Sequence, residues 1–262
     1  MENISLDVGG QTATITLTNP ELRNALTLET AKELTEAVER VEGSDARCLV
    51  LQGSEGTFCA GGDIKSMLEN ISTDRDIEAL IEESALPVNR SIQHVYECSV
   101  PTVAKLDGPA YGAGATLALA CDVVLASEDA EMSFGFRRIG LSVDSGTSYL
   151  LPRAVGQKRA MDLVYTGELL DAEEAERLGL VSRVLSAAEF DERSQEIIET
   201  VATGPTVALK HSKKLLQHGG DRTFDEVIDA ETDGLRACFQ SDDFETGVQA
   251  FVNKQTPEFD GE

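Results

Sequence analysis

Phe58-Cys59-Ala60-Gly61-Gly62-Asp63-Ile64-Lys65 is the stretch on which the reading of this chain turns. The apolar run before it, Cys48-Leu49-Val50-Leu51-Gln52-Gly53, has the length and composition of a buried strand. An amphipathic helix is expected from about Asp63. Two consecutive glycines therefore stand where a strand hands over to a helix. The first turn of a helix leaves N–H groups without intrahelical acceptors, and glycine lets a ligand come close to such backbone. A plain tight turn is the competing reading of the same residues.

Working outward, the pattern recurs. Thr102-Val103-Ala104-Lys105-Leu106 reads as a second buried strand, Asp107-Gly108-Pro109 ends it, and Ala110-Tyr111-Gly112-Ala113-Gly114-Ala115 leads into the small apolar helix Thr116–Ala120. A third strand is expected over Asp122–Ala126. Repeated strand–turn–helix units predict an α/β core with parallel strands and right-handed crossovers. Neither glycine-rich turn has the spacing of a phosphate loop or a dinucleotide fingerprint.

Upstream, Ile4–Val8 and Ala13–Leu17 alternate with period two about Gly9-Gly10 and predict a β-hairpin. Thr27 is positioned to cap a helix carrying Leu28, Ala31, Leu34, Ala37, Val38 and Val41 on one face, with Gly43 as its stop. Residues 66–76 are polar and predict a loop of the kind that covers a site. Ile77–Glu97 predicts a long helix bent at Pro87. Downstream, short helices are expected at Gln157–Tyr165 and Ala172–Leu178, a strand at Val181–Leu185, and helices at about 187–203, 206–217 and 224–240, with a last segment around 243–254. The expected division is a core over 1–200 and a charged helical region over 201–262.

Composition narrows the function. The 262 residues hold 47 acidic and 22 basic side chains, a formal net charge of −25. Such a surface repels phosphate backbones and acidic lipid, which disfavours nucleic acid and membrane as partners. The acids are spread along the chain and lysine is scarce, eight against fourteen arginines. That balance fits a halophilic protein whose self-repulsion is screened by salt. It predicts unfolding, by circular dichroism, as salt is dialysed away; full stability in dilute buffer would contradict it. Five cysteines lack metal-ligand spacing, and most sit in apolar runs as core residues. The first residues, Met1-Glu2-Asn3, lack a basic n-region and an apolar h-region, and no run reaches a membrane span. The expectation is a reduced, cytoplasmic protein.

Among candidate chemical groups, His94, His211 and His218 are scattered, which supports neither a metal site nor a Ser/His/Asp triad. Asp144 differs. It follows Val143, precedes a glycine-containing turn, and has Phe136, Leu141 and Tyr149 close in sequence. A carboxylate in apolar surroundings has a raised pKa, which suits a general base near neutral pH. Asp144 as the N-cap of the following helix is the equally sound alternative.

Taken together, Asn19-Pro20 with Arg23-Asn24-Ala25-Leu26, Phe58 to Lys65, Asp107 to Gly114 with Leu117 to Asp122, Ile139 to Gly146, Leu151-Pro152-Arg153 with Gly156, and the tail Phe251 to Phe259 resemble the crotonase (enoyl-CoA hydratase/isomerase) superfamily. The resemblance runs nearly end to end, and it is nearest in pattern to the family's single-aspartate isomerases. It implies a ββα spiral core, a C-terminal helical trimerisation region, and trimers or hexamers. It also implies acyl-CoA thioester substrates, with coenzyme A carried by the substrate and no separate cofactor. By the same resemblance the N–H groups of Gly62 and Ala113 form an oxyanion hole. Arg23, Ala25, Ala60, Asp63 and Ile64 lie where the family binds CoA. Positions matching the two glutamates of water-adding members are Thr116 and Phe136, neither of which can activate water. Asp144 matches the aspartate of single-acid isomerases, including ring-opening isomerases of phenylacetate degradation, and the nucleophile of aryl-CoA dehalogenases. The latter add a histidine where this chain has Asn89. The implied reaction is a double-bond shift in an enoyl-CoA. Hydration of a 2-enoyl-CoA is the first alternative. A non-catalytic or RNA-binding homologue and a peptidase are alternatives of other classes, disfavoured by the charge and by the missing Ser/His pair.

Overall fold

The computed structural model describes residues 1–71 and 76–262. β1 (Ile4–Gly9) and β2 (Thr12–Leu17) form the expected hairpin, and β2 buries Ala13, Ile15 and Leu17 on one face. α1 (Leu28–Glu42) starts where Thr27 Oγ1 accepts the Thr30 N–H at 3.0 Å and ends at Gly43. β3 (Cys48–Gly53) follows. α2 (Ile64–Ile71) then occupies most of the segment read as a loop. Its helical start is set by Asp63, whose Oδ1 accepts the Lys65 and Ser66 N–H groups at 3.0 and 3.2 Å. Residues 72–75 of that expected loop lie outside the described residues.

The long helix is α3 (Ile77–Leu80), a widened π turn over Ile81–Ala85, and α4 (Leu86–Glu97). The irregularity precedes Pro87 because proline lacks the N–H for Glu83 and its ring crowds that carbonyl, so the turn before it widens. β4 (Thr102–Leu106), β5 (Ala110–Tyr111), α5 (Ala113–Leu119), β6 (Val123–Ser127) and β7 (Glu131–Ser133) follow. α6 (Thr147–Thr166) begins ten residues before the expected Gln157. Gly156, at φ 75° and ψ 156°, breaks it into two segments. β8 (Leu170–Asp171), α7 (Ala172–Leu178), β9 (Arg183–Leu185), α8 (Phe190–Ala202), α9 (Thr206–His218), α10 (Phe224–Phe239) and α11 (Asp242–Asn253) complete the chain.

The main sheet has the order β1-β2-β3-β4-β6-β9 and is parallel beyond the hairpin. A small second sheet, β5-β7-β8, stands beside it. The inner strands are buried on both faces, as parallel strands are when helices cover each side. Leu49, Leu51 and Ala104 join the large core, while Cys48, Val50, Val103 and Leu125 pack under Ile198 and Ala202 of α8. Burial pushes the Cys48 and Cys59 thiols up to about 12, so both are inert core residues.

Two buried cations tie the C-terminal helices to the core. Lys213 Nζ on α9 reaches Asp122 Oδ2 at 2.9 Å and the Val100 carbonyl at 3.1 Å. Arg47 donates to Thr206 Oγ1 (2.6 Å), to the Phe259 carbonyl (2.9 Å) and to the Gly204 carbonyl. The tail residues singled out in the sequence are thus held by a cation 212 residues upstream. No helix among the described residues is long and apolar enough to cross a membrane.

Candidate active site

The site is built where β3 and β4 end. After β3 the chain turns so tightly that a Cβ on Gly53 would lie 1.9 Å from the Thr57 carbonyl oxygen. Asn24, fully buried, clamps this turn: its Nδ2 donates to the Ser54 and Thr57 carbonyls at 3.0 and 2.7 Å. Its Oδ1 accepts the Asn19 N–H at 3.0 Å. The Arg23–Leu26 segment then runs along Ala60-Gly61-Gly62. The Ala60 N–H donates to the Arg23 carbonyl (3.0 Å) and the Leu26 N–H to the Gly61 carbonyl (2.7 Å). Arg23, Ala25 and Ala60 are therefore brought together, with Arg23 exposed and Ala25 buried. Nothing in the local sequence assigns Asn24 a role; its buried amide becomes visible only through its partners 30 and 33 residues away. Ile64 is exposed on α2, and the Asp63 carboxylate is engaged in capping that helix rather than turned to the site.

The second turn presses against the first. Cys59 bridges to Ala110, with the Cys59 N–H on the Pro109 carbonyl (3.1 Å) and the Tyr111 N–H on the Cys59 carbonyl (2.9 Å). Glycine is required at both contacts. A Cβ on Gly61, at φ +91°, would stand 2.5 Å from the Tyr111 oxygen and 3.4 Å from the Ala113 nitrogen. A Cβ on Gly114 would stand 2.2 Å from the Cys59 oxygen. Ala113 opens α5, so its N–H has no carbonyl in the preceding turn to bond. Among the described residues neither the Gly62 nor the Ala113 N–H has an acceptor. Two spare donors thus stand on adjoining turns. Met67 of α2 lies over Gly62, its Cε 2.8 Å from where a Cβ would be.

Asp144 is half-buried and is not the N-cap of α6. That position belongs to Gly146 at φ 85°, with no side-chain cap. Ser145 is left-handed at φ 56°; its Oγ lies 2.9 Å from Asp144 Oδ1, so the carboxylate accepts from its neighbour instead of the helix start. Burial raises the Asp144 carboxyl above the usual range, and the Ser145 hydroxyl partly offsets this. The Asp144 turn is joined to the donors by a short path. The Asp144 carbonyl accepts the Thr147 N–H (2.8 Å), Thr147 Oγ1 pairs with Thr116 Oγ1 (2.6 Å), and the Thr116 N–H bonds the Gly112 carbonyl (3.1 Å), next to Ala113.

Asp107 is the other carboxyl raised by burial among the described residues. Asp107 lies one residue past β4, and the charges acting on it are Lys105 and its partner Asp191 of α8, so it belongs with that ion pair and not with the Asp144 turn. Asp144 is the raised carboxyl joined to the two glycine turns. The positions expected to hold a hydratase's glutamates carry the buried, paired Thr116 hydroxyl and the buried Phe136.

The family model for Enoyl-CoA hydratase/isomerase matches residues 8–262. The chain belongs to that family. As a crotonase-superfamily enzyme it is 36% identical over 258 residues to a Rhodobacter capsulatus protein named "Probable enoyl-CoA hydratase", with 98% of each chain covered. It is 34% identical over 263 residues to the 1,2-epoxyphenylacetyl-CoA isomerase of Escherichia coli, covering 100% of this chain and 99% of that one. The crystal structure of an enoyl-CoA hydratase from Bacillus anthracis superposes with a TM-score of 0.91 at 28% identity, covering 99% and 100% of the two chains. The family enzyme therefore has the crotonase fold, and its relatives are named for both hydration and isomerisation.

Proposed function

We propose that this family enzyme is an enoyl-CoA isomerase that moves a double bond from the 3 to the 2 position of an acyl-CoA thioester. The observation that carries the reading is the raised, half-buried Asp144 joined to the two-donor turn, where a hydratase's glutamates would be Thr116 and Phe136. The thioester carbonyl sits between the Gly62 and Ala113 N–H groups. Asp144 takes a proton from C2, and the electron pair moves into the carbonyl to give a dienolate. The same carboxyl returns the proton at C4 as the carbonyl re-forms. Each backbone donor aimed at the developing oxyanion contributes about 2.7–4 kcal/mol to the transition state. Ile64, Met67 and Leu68 beside Gly62, and Ile139 and Leu141 before Asp144, are exposed apolar side chains suited to an acyl chain. Arg23 beside Ala60 supplies a guanidinium for a CoA phosphate, and Ala25, Ala60, Asp63 and Ile64 line the approach through their backbone.

The enzyme works as a homotrimer or a pair of trimers in this reading. Phe224, Leu235, Phe239, Phe244, Phe251 and Val252 on α10 and α11 are all exposed in the single chain, which fits a surface covered by further copies. Sedimentation equilibrium checks this, a monomer being the result against it.

Supplying a 3-enoyl-CoA and a 2-enoyl-CoA side by side tests the chemistry. The expected result is conversion of the 3-enoyl to the 2-enoyl thioester with little hydration. Efficient addition of water to crotonyl-CoA would replace this reading with the hydratase one.

A further inference from the structure

Ser145 is a polar residue 3% exposed, in a left-handed conformation that serine seldom adopts. Its Oγ lies 2.9 Å from Asp144 Oδ1 and 3.0 Å from Asn89 Oδ1 on α4. A hydroxyl has one proton and cannot donate to both oxygens. The Asn89 amide turned over presents Nδ2 in the same place, and then every group is satisfied. Asn89 Nδ2 donates to Ser145 Oγ, and Ser145 Oγ donates to Asp144 Oδ1.

The surroundings keep this chain in register. Asn89 and Tyr96 are seven residues apart on one face of α4. Tyr96 meets the Tyr149 ring edge-on, with centroids 5.9 Å apart, and Arg153 stacks over Tyr149 at 3.5 Å while pairing with Asp221 at 2.8 Å. Asn89 of α4 and Thr147 of α6 bond the Asp144–Ser145 turn directly, and Thr116 of α5 reaches it through Thr147. The titratable and charged groups on the neighbouring ring pair are Tyr96, Tyr149, Arg153 and Asp221, and no charged side chain acts on Asp144 among the described residues.

We propose that Asn89 and Ser145 are positioning residues that occupy Oδ1 of Asp144 and leave Oδ2 as the single oxygen carrying the proton between C2 and C4. The inference rests on Asp144 being that proton carrier. Ser145 keeps its own proton throughout. The C2–H bond breaks as Oδ2–H forms, and Oδ2–H breaks as C4–H forms. Holding one oxygen fixes the plane of the carboxylate, so the free oxygen can reach both carbons on one face of the substrate.

Isomerisation kinetics of Ser145→Ala, Asn89→Ala and Asn89→Asp against pH test this. Ser145→Ala removes a bond made to the ionised carboxylate, so the acid limb of kcat moves up by about one pH unit and kcat near neutrality falls about tenfold. KM stays within about twofold, since the substrate's CoA contacts are elsewhere. Asn89→Ala shifts the limb in the same direction by less. Asn89→Asp shifts it further than Asn89→Ala, because an acceptor-only carboxylate competes for the Ser145 proton and adds a like charge. The double alanine variant goes no further than Ser145→Ala, since Asn89 acts through Ser145. A limb that stays in place in the folded variants overturns the proposal. Should Ser145→Ala fail to fold, the two Asn89 variants, on a half-exposed helix face, decide. Full activity in Asp144→Ala would remove the proton-carrier reading itself. An inactive Asp144→Ala with an unmoved limb in the others refutes the positioning role alone.

Discussion

Asp144→Ala lowers kcat for the double-bond shift by about 10²–10⁴-fold while KM changes little. In the proposed mechanism the carboxyl acts on protons at C2 and C4, whereas the backbone of Gly62 and Ala113 holds the thioester, so ground-state binding is expected to survive its loss. In the wild type the acid limb of the kcat profile reports this carboxyl and lies above the ordinary carboxylate range, because burial disfavours the anion. Asp144→Asn separates chemistry from folding. It loses activity as the alanine does, yet retains an oxygen to accept the Ser145 hydroxyl. The stability effect has a definite sign. The folded-state pKa of Asp144 is raised above its unfolded value, so the group's favourable contribution is complete below the unfolded pKa and is lost as pH rises through the folded one. At pH 7–8 the asparagine variant is therefore the more stable, and its advantage disappears on acidification. Melting curves of both proteins at pH 5 and pH 8 check this. An asparagine variant that retains isomerase activity would remove Asp144 from the chemistry.

Gly61→Ala is the second large effect. The new Cβ would overlap the Tyr111 carbonyl at 2.5 Å, and the backbone there is at φ +91°. Positive φ costs an L residue about 1–2 kcal/mol, and overpacking adds about 1–3 kcal/mol, so urea denaturation should show a loss of about 2–5 kcal/mol. What folds loses about 10²–10³-fold in kcat, because the overlap wedges the Gly62 and Ala113 turns apart and one donor no longer reaches the oxyanion. Gly62→Ala provides the contrast one residue along. Its Cβ meets only the end of the Met67 side chain at 2.8 Å, which can swing away, so stability changes little. Equal destabilisation by both substitutions would show that the two turns are not pressed together as described.

Much of the candidate site's local structure is legible in the sequence. The strand and glycines around Gly62 and the second set around Ala113 identify two helix starts with spare donors, because the orphan N–H groups follow from local hydrogen bonding. Asp144 stood out by its apolar neighbours. Two of its readings were open, and local sequence could not choose between them: a carboxylate before a helix caps it or does not, depending on φ at the residues between. Ser145 and Gly146 both take positive φ, which moves the helix start past the aspartate. Over 66–71 the expected loop gave way to a helix for the converse reason. The Asp63 cap outweighs the weak helix propensity of Ser66 and Asn70, and α2 runs to Ile71.

The sequence by itself determined the hairpin, α1 with its Thr27 cap, the parallel order of buried strands, and the two Gly-rich junctions, since each rests on periodicity or on backbone chemistry within a few residues. Only the tertiary structure decided that the junctions touch through Gly61 and Gly114, that Thr116 and Thr147 link them to Asp144 across 31 residues, and that Asn89 reaches Ser145 across 56. Those contacts depend on how the sheet brings distant turns together, a relation that no local pattern encodes. Local backbone chemistry supplies the two spare donors of the Gly-rich turns; packing alone gathers the side chains around Asp144.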